Sequence, residues 1–300
     1  MEVSGPSGIT IRRAETDGDL EAWIQVRRIV LPDEPASTLE WLRSEERLDR
    51  LLVLALIGDD VVGHGLAGDS MQADGFVAPR VLPAHRRCGV GGALLRVLLD
   101  HQVSLGHRSA VAHVVDDASL AFATNRGFAE IDRQVEQVRS IEPDEPAPTA
   151  YPGVEFVSVA EDPGLLARTY PLARQGHADF ALAVGAVEMS LDEWLRDEAT
   201  LPAGSIVALV GGSIVGYAGL CSWNDDDTRA ENGLTVIDRG WRGRGLATAL
   251  KRRQLAWASA NGICEIVTWT QDSNGAMRRV NTGLGYATRA ISRTVRRDLP

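Results

Sequence analysis

The sequence predicts an α+β (mixed α/β) protein of two tandem domains, each a mostly antiparallel mixed sheet flanked by helices. Three observations lead there. The 300 residues exceed the usual size of one compact domain and divide naturally into about two, each long enough for its own core. A set of landmarks recurs once at nearly constant spacing. Within each half, several short apolar segments precede a strand, helix, strand unit, a pattern that requires both antiparallel and parallel pairing.

The elements follow the same order in both halves. A short strand at 10–14, or at 155–159, leads into helices, and in the first half Leu20, Trp23, Ile24 and Arg27 share one helical face. Hairpins follow, 51–57 with 61–67 around Gly58-Asp59-Asp60, and 206–210 with 214–220 around Gly211-Gly212-Ser213. A third strand (75–82; 233–237), an arginine and glycine loop and a long helix (92–105; 246–260) come next. Each half closes with a buried-looking strand (109–115; 263–270), a short helix and a last strand.

Three landmarks carry the repeat. Gly63 recurs at Gly216 (216 − 63 = 153), Arg86-Arg87-Cys88-Gly89-Val90-Gly91 at Arg242-Gly243-Arg244-Gly245-Leu246-Ala247 (242 − 86 = 156), and Gly127-Phe128 at Gly285-Tyr286 (285 − 127 = 158). Between the copies, 141–148 reads Ile-Glu-Pro-Asp-Glu-Pro-Ala-Pro, which continues neither a helix nor a central strand. The expected domains are therefore 1–140 and 153–300, with 141–152 as an acidic, proline-rich linker.

Composition narrows the function classes. Apolar residues are 44% and charged residues 24%, ordinary globular usage. A net charge of −10 disfavours nucleic acid as a partner. Three scattered cysteines, Cys88, Cys221 and Cys264, without metal-ligand spacing fit a reducing cytoplasm. No basic n-region with an apolar stretch opens the chain and no apolar run is long enough to span a bilayer, so a cytoplasmic protein without a membrane partner is expected.

The glycine loops bear the chemistry. A glycine-rich turn opening a helix presents unpaired backbone N–H groups and the positive end of the helix dipole, which suit a pyrophosphate, and the adjacent arginines supply charge-assisted bonds. A Walker loop needs a terminal Gly-Lys-Ser/Thr, which neither copy has, and a dinucleotide fingerprint needs glycine where Leu94 and Thr248 stand. What remains resembles the R-x-x-G-x-G/A signature of the GCN5-related N-acetyltransferase (GNAT) family, present once in each half. The end of the second half, Asn274 to Tyr286, is similar to that family's last motif. In layout the chain resembles the two-domain members of mycothiol synthase type, although no residue match selects their substrate.

The resemblance implies acetyl-CoA as donor. By position the expected cofactor contacts are Val81, Leu82, Arg86, Arg87, Gly89, Val90, Gly91 and Gly92 in the first half, and Val236, Ile237, Arg242, Gly243, Arg244, Gly245, Leu246, Ala247 and Asn274 in the second. The family's mechanism needs a base for the acceptor ammonium and an acid for the leaving thiolate. Counting alternation back from Val236 puts Gly233 and Glu231 on one face, which makes Glu231 the candidate base; the equivalent first-half positions, Ala78 and Phe76, offer no acid. The family's tyrosine acid is replaced by Ala123 and Asn281, so Tyr286 or Tyr217 is the candidate acid. The second half is thus expected to be catalytic and the first structural, cofactor-binding only or degenerate. The leading function is acetylation of a primary amine on a small molecule; a non-catalytic acyl-CoA-binding module and a protein-lysine acetyltransferase are the alternatives. No match is found over 175–199.

Overall fold

The computed structural model describes all residues except 1, 5–7, 35–36, 45–48, 71–73, 181–188 and 224–225. Asn224 and Asp225 of the acidic run before Glu231, and 181–188 of the stretch 175–199, thus lie outside the described residues. Contacts divide the chain into two compact units, Met1–Ile131 with Arg293–Pro300, and Asp132–Ser292.

The first unit contains β1 (Glu2–Ser4), β2 (Ile9–Arg13), α1 (Asp17–Val30), α2 (Leu39–Ser44), β3 (Leu51–Ile57), β4 (Asp60–Asp69), β5 (Gly75–Val81), α3 (Val90–Ser104), β6 (Ser109–Val114) and α4 (Asp117–Thr124). β1 to β5 pair antiparallel in sequence order, β5 pairs parallel with β6, and residues 293–298 pair antiparallel with β6. The unbroken apolar run of β3 reflects burial on both faces. Leu51, Val53 and Ala55 join the α3 residues Leu94 and Leu98 in one core, while Leu54 joins Leu20, Trp23 and Ile24 of α1 in another. Helix α1 starts where Thr16 and Asp19 form a reciprocal capping box.

The strand β7 (Ala129–Ser140) runs from the first unit into the second. Its later residues share the second unit with β8 (Glu155–Ser158), α5 (Gly164–Phe180), α6 (Leu191–Asp197), β9 (Ile206–Val210), β10 (Ser213–Ser222), β11 (Arg229–Ile237), α7 (Leu246–Ala260), β12 (Glu265–Gln271), α8 (Gly275–Gly283) and the start of β13 (Ala287–Asp298). The strand order is β7, β12, β11, β10, β9, β8, antiparallel except for β11 with β12. The segment 141–152 is fastened to this unit: Arg139 pairs with Glu145, Ser259 donates to Glu142 O at 2.8 Å, and Tyr151 Oη donates to Arg244 O at 2.8 Å.

Two irregularities shape the second unit. Ala218 faces Thr235 and Leu220 faces Asn232, so Gly233 and Leu234 together oppose Gly219 in a β-bulge. The parallel register of β11 with β12 covers only Arg229 to Glu231, after which β11 runs on to Ile237 without sharing a register with β12. The same parting occurs in the first unit, where β5 meets β6 only at Gly75 and Phe76. Among the described residues, no helix is long and apolar enough to cross a membrane.

Candidate active site

The two glycine loops have nearly superimposable backbones. Leu82 lies at φ −51°, ψ 137° and Asp238 at −51°, 138°; Arg86 at −71°, 155° and Arg242 at −66°, 157°. Arg87 and Gly243 share positive φ, 66° and 74°, and Gly89 and Gly245 cap their helices at 91° and 81°. Five-residue spacing is also conserved between the copies in the arginine contacts: Arg86 Nε donates to Val81 O at 3.3 Å, and Arg242 Nε to Ile237 O at 3.0 Å. A left-handed conformation at a non-glycine such as Arg87 is uncommon and costs energy, whereas the second loop has a glycine, Gly243, at the same place before its helix entrance.

At Gly243 and Gly245 a Cβ would meet nothing within 4 Å, so open space lies over this loop. Arg242 also donates to Asp179 Oδ2 at 2.6 Å and Arg239 pairs with the same carboxylate. These guanidiniums hold the Asp179 carboxyl below the usual carboxylate range. Arg244 lies over the Trp241 ring at 5.0 Å. Leu246 is buried and Ala247 packs beside it, fixing the first turn of α7 against β9 and β10. Asn274 caps α8, accepting from Met277 N at 3.1 Å.

In the first unit the parting of β5 and β6 opens a cleft of about 540 Å³, lined by Val81, Arg86, Arg87, Gly89, Gly91 and Gly92 among others. Leu82 begins the turn at its edge and Val90 anchors α3 in the core. A Cβ at Gly91 would come within 3.2 Å of Phe122, so the small residue keeps α3 close to α4. Cys88 is exposed, with its thiol directed to Arg86 O.

A buried carboxylate of the second unit, Glu198, caps the C-terminus of α6 at the β-bulge. Its Oε1 accepts from Tyr217 Oη at 3.0 Å and from Leu234 N at 3.2 Å. A Cβ on Gly219 would sit 1.7 Å from Glu198 Oε1 and one on Gly233 2.1 Å away, so two strand glycines create the space that the carboxylate fills. The next residue, Ala199, is buried with φ 56°, an outlier of the kind concentrated at functional sites. Burial, which outweighs the hydrogen bonds from Tyr217 and Leu234, pushes the Glu198 carboxyl up to about 7. Burial and the neighbouring Glu198 push the Tyr217 hydroxyl well above its ordinary value.

Glu231 belongs to the same neighbourhood, since its charge helps raise both Glu198 and Cys221. Simple alternation back from Val236 puts Glu231 and Val236 on opposite faces, but the count passes through the bulge, where an extra residue inverts the side-chain alternation. Val236 faces α5, packing on Gly176, whereas Ile237 packs with Leu246 and Leu250. Tyr286 is buried in the core between β10, β11 and α7, and its hydroxyl donates to Asn232 Oδ1 at 2.8 Å. The structure therefore groups Glu231, Glu198 and Tyr217, and sets Tyr286 in a separate polar core. Glu198 lies in the stretch where no motif is matched; the signal for it in the sequence is the pair of glycines, Gly219 and Gly233, inside adjacent strands.

A model of the acetyltransferase (GNAT) family matches this chain twice, over residues 19–128 and 170–286. Among solved structures, a GCN5-related N-acetyltransferase from Sphaerobacter thermophilus is similar with a TM-score of 0.78 at 20% identity, covering 98% of this chain and 96% of that one. A tandem GNAT protein from the clavulanic acid biosynthesis pathway gives 0.74 at 19% identity, covering 97% and 98%. An acetyltransferase described as putative from Pyrococcus horikoshii gives 0.62 at 16% identity, covering 98% and 90%. No curated protein matches the sequence.

Proposed function

The chain belongs to the acetyltransferase (GNAT) family, and we propose that its second unit transfers an acetyl group from acetyl-CoA to a primary amine of a small molecule, with Glu198 as the base. One observation carries this reading: a carboxylate raised to about 7 stands at a strand bulge where two glycines leave room for it, beside the parting of β11 and β12. A base serves best when its pKa lies near the working pH.

The donor thioester supplies the acyl carbon. Glu198 takes a proton from the acceptor ammonium, directly or through one water, and the freed amine nitrogen attacks the thioester carbonyl. The new C–N bond forms as the C–S bond breaks, and the sulfur leaves as thiolate. Tyr217 orients the base through its 3.0 Å hydrogen bond, and Leu234 N–H holds the same oxygen. Glu231 adds negative charge that favours a cationic acceptor and keeps the Glu198 pKa high. The Gly243 to Leu246 backbone and the Arg242 and Arg244 side chains would hold the pyrophosphate, Val236 and Ile237 the pantetheine arm by strand-like pairing, and Asn274 the far side of the same groove. Tyr286, buried and bonded to Asn232, is assigned a positioning role.

Thiol release from acetyl-CoA across a panel of primary amines tests the proposal. Turnover should depend on Glu198, with Glu198→Gln lowering kcat about 100-fold or more while the KM for acetyl-CoA changes little. Turnover that survives Glu198→Gln but not Glu231→Gln would transfer the base role to Glu231.

A further inference from the structure

A second cavity of the first unit, about 330 Å³, is lined by none of the residues assigned to this reaction. Trp23, Leu31, Leu66 and Phe76 give it an apolar body. His64, on β4, also lines it; the residue is 2% exposed, and neither ring nitrogen has a hydrogen-bond partner. The ring lies 4.0 Å from that of Trp23. A buried imidazole with its donor and acceptor both unmade is costly, so the site is incomplete as it stands.

Directly across the β4/β5 ladder from His64 is Arg80. Among the described residues its hydrogen bond is a long one, 3.4 Å to the adjoining Pro79 O, and no carboxylate stands within ion-pair distance. Glu34 and Asp116 act on it only at longer range, and Glu34 is held by Arg27 at 3.0 Å. Desolvation pushes the Arg80 pKa down, and desolvation with the charges of Arg80 and Arg27 pushes His64 well below its usual value, so the imidazole is neutral. A desolvated guanidinium without a counter-ion and a neutral imidazole with a free N–H make a receptor for an anion.

We propose that this cavity is a binding site for a small monocarboxylate with an apolar body, its carboxylate received by Arg80 and by the His64 N–H, and its body lying against Trp23 and Phe76. The wall balances Arg27, Arg50 and Arg80 against Glu34, Asp49 and Asp69, which suits a monoanion better than a phosphate dianion. Asp69 sits at the far end of the β4/β5 ladder, opposite Gly75, and pairs with His107 at 2.8 Å, away from the Arg80 end. Arg80 and His113 also line the 540 Å³ cleft, so a bound acid would lie beside the glycine loop's own groove.

Titration calorimetry on the full chain tests this with phenylacetate, indole-3-acetate and 4-methylpentanoate as probes and benzyl alcohol as a neutral control. At least one acid should bind, benzyl alcohol should bind about tenfold more weakly or less, and Arg80→Gln should weaken the acid about tenfold or more. Glu198→Gln, in the second unit, should leave acid binding unchanged. If Arg80→Gln does not fold, Ala78→Phe, which fills the cavity from β5, should abolish binding. No binding by any of the three acids at about 10 mM, unchanged affinity in Arg80→Gln or Ala78→Phe, or tighter binding of inorganic phosphate than of all three would overturn the proposal.

Discussion

At the scale of the residue, Glu198 combines two consequences of one burial. Its carboxyl is raised from 4.5 to about 7, so the deprotonated, proton-accepting form accumulates only as pH passes neutrality. The rate of acetyl transfer should therefore climb between about pH 6 and pH 8 and level off above, and this limb should vanish in Glu198→Gln; a profile flat across that range excludes Glu198 as base. The same shift acts on stability with a definite sign. The folded state holds this proton more tightly than the unfolded one, so the contribution of Glu198 to stability is fully present below pH 4.5 and is lost as pH rises through about 7, by on the order of 3 kcal/mol. Glu198→Gln removes this loss, because a neutral amide still accepts from Leu234 N–H. Thermal melting should find the variant more stable than the parent near pH 8 and similar near pH 4. Glu198 was invisible to motif matching because nothing in its own neighbourhood distinguishes it from a solvated helix-end acid. Its role depends on glycines more than twenty positions further along the chain.

At the scale of the element, the bulge between β10 and β11 is held open from beneath by a helix. Gln254 of α7 donates to Ala218 O at 3.1 Å and Gly219 O at 2.8 Å, and Asn232 donates to Gln254 at 3.0 Å. Lys251 is fully buried, donates to Asn232 Oδ1 at 2.8 Å and lies 5.1 Å over the Tyr286 ring; desolvation pushes its pKa down to about 7. The carbonyls at the bulge are thus fixed by side chains, leaving its other face to Glu198. Placing a Cβ at the bulge is accordingly severe: Gly233→Ala must displace the carboxylate, and kcat should fall about 100-fold while the fold, read by circular dichroism, persists. Retained activity in Gly233→Ala would mean that Glu198 need not occupy its present place. Alternation along β11 was legible up to the bulge and misled beyond it, because an inserted residue leaves no mark on local hydrophobicity. The glycine loops were legible as turns that open a helix, since Gly89 and Gly245 take positive φ at the helix starts, whereas the left-handed Arg87 and the reach of Arg86 and Arg242 to the preceding strand have no such mark in the sequence.

At the scale of the whole molecule, the internal repeat made the fold readable: the same order of strands, loop and long helix recurs, and most element boundaries fall within two residues of the expected ones. The compact units divide at Ile131/Asp132 and Ser292/Arg293, because residues 132–140 pair with β12 and residues 293–298 pair with β6. Pairing of residues so far apart in sequence has no local signature, and the prolines of 141–148 mark a break in regular structure that falls within the second unit. Two units with one loop geometry lead to a test of division of labour. Both entrances place a glycine cap at positive φ, where an L side chain costs about 1–2 kcal/mol, and an aspartate there adds repulsion towards a pyrophosphate. Calorimetry should find two equivalents of coenzyme A per chain, and either Gly89→Asp or Gly245→Asp should remove one. The outcomes then differ in turnover. Gly245→Asp should abolish acetyl transfer, because it removes the donor from the unit that contains Glu198, and Gly89→Asp should leave the rate within about twofold. Loss of turnover in Gly89→Asp with retention in Gly245→Asp would move the active centre to the first unit.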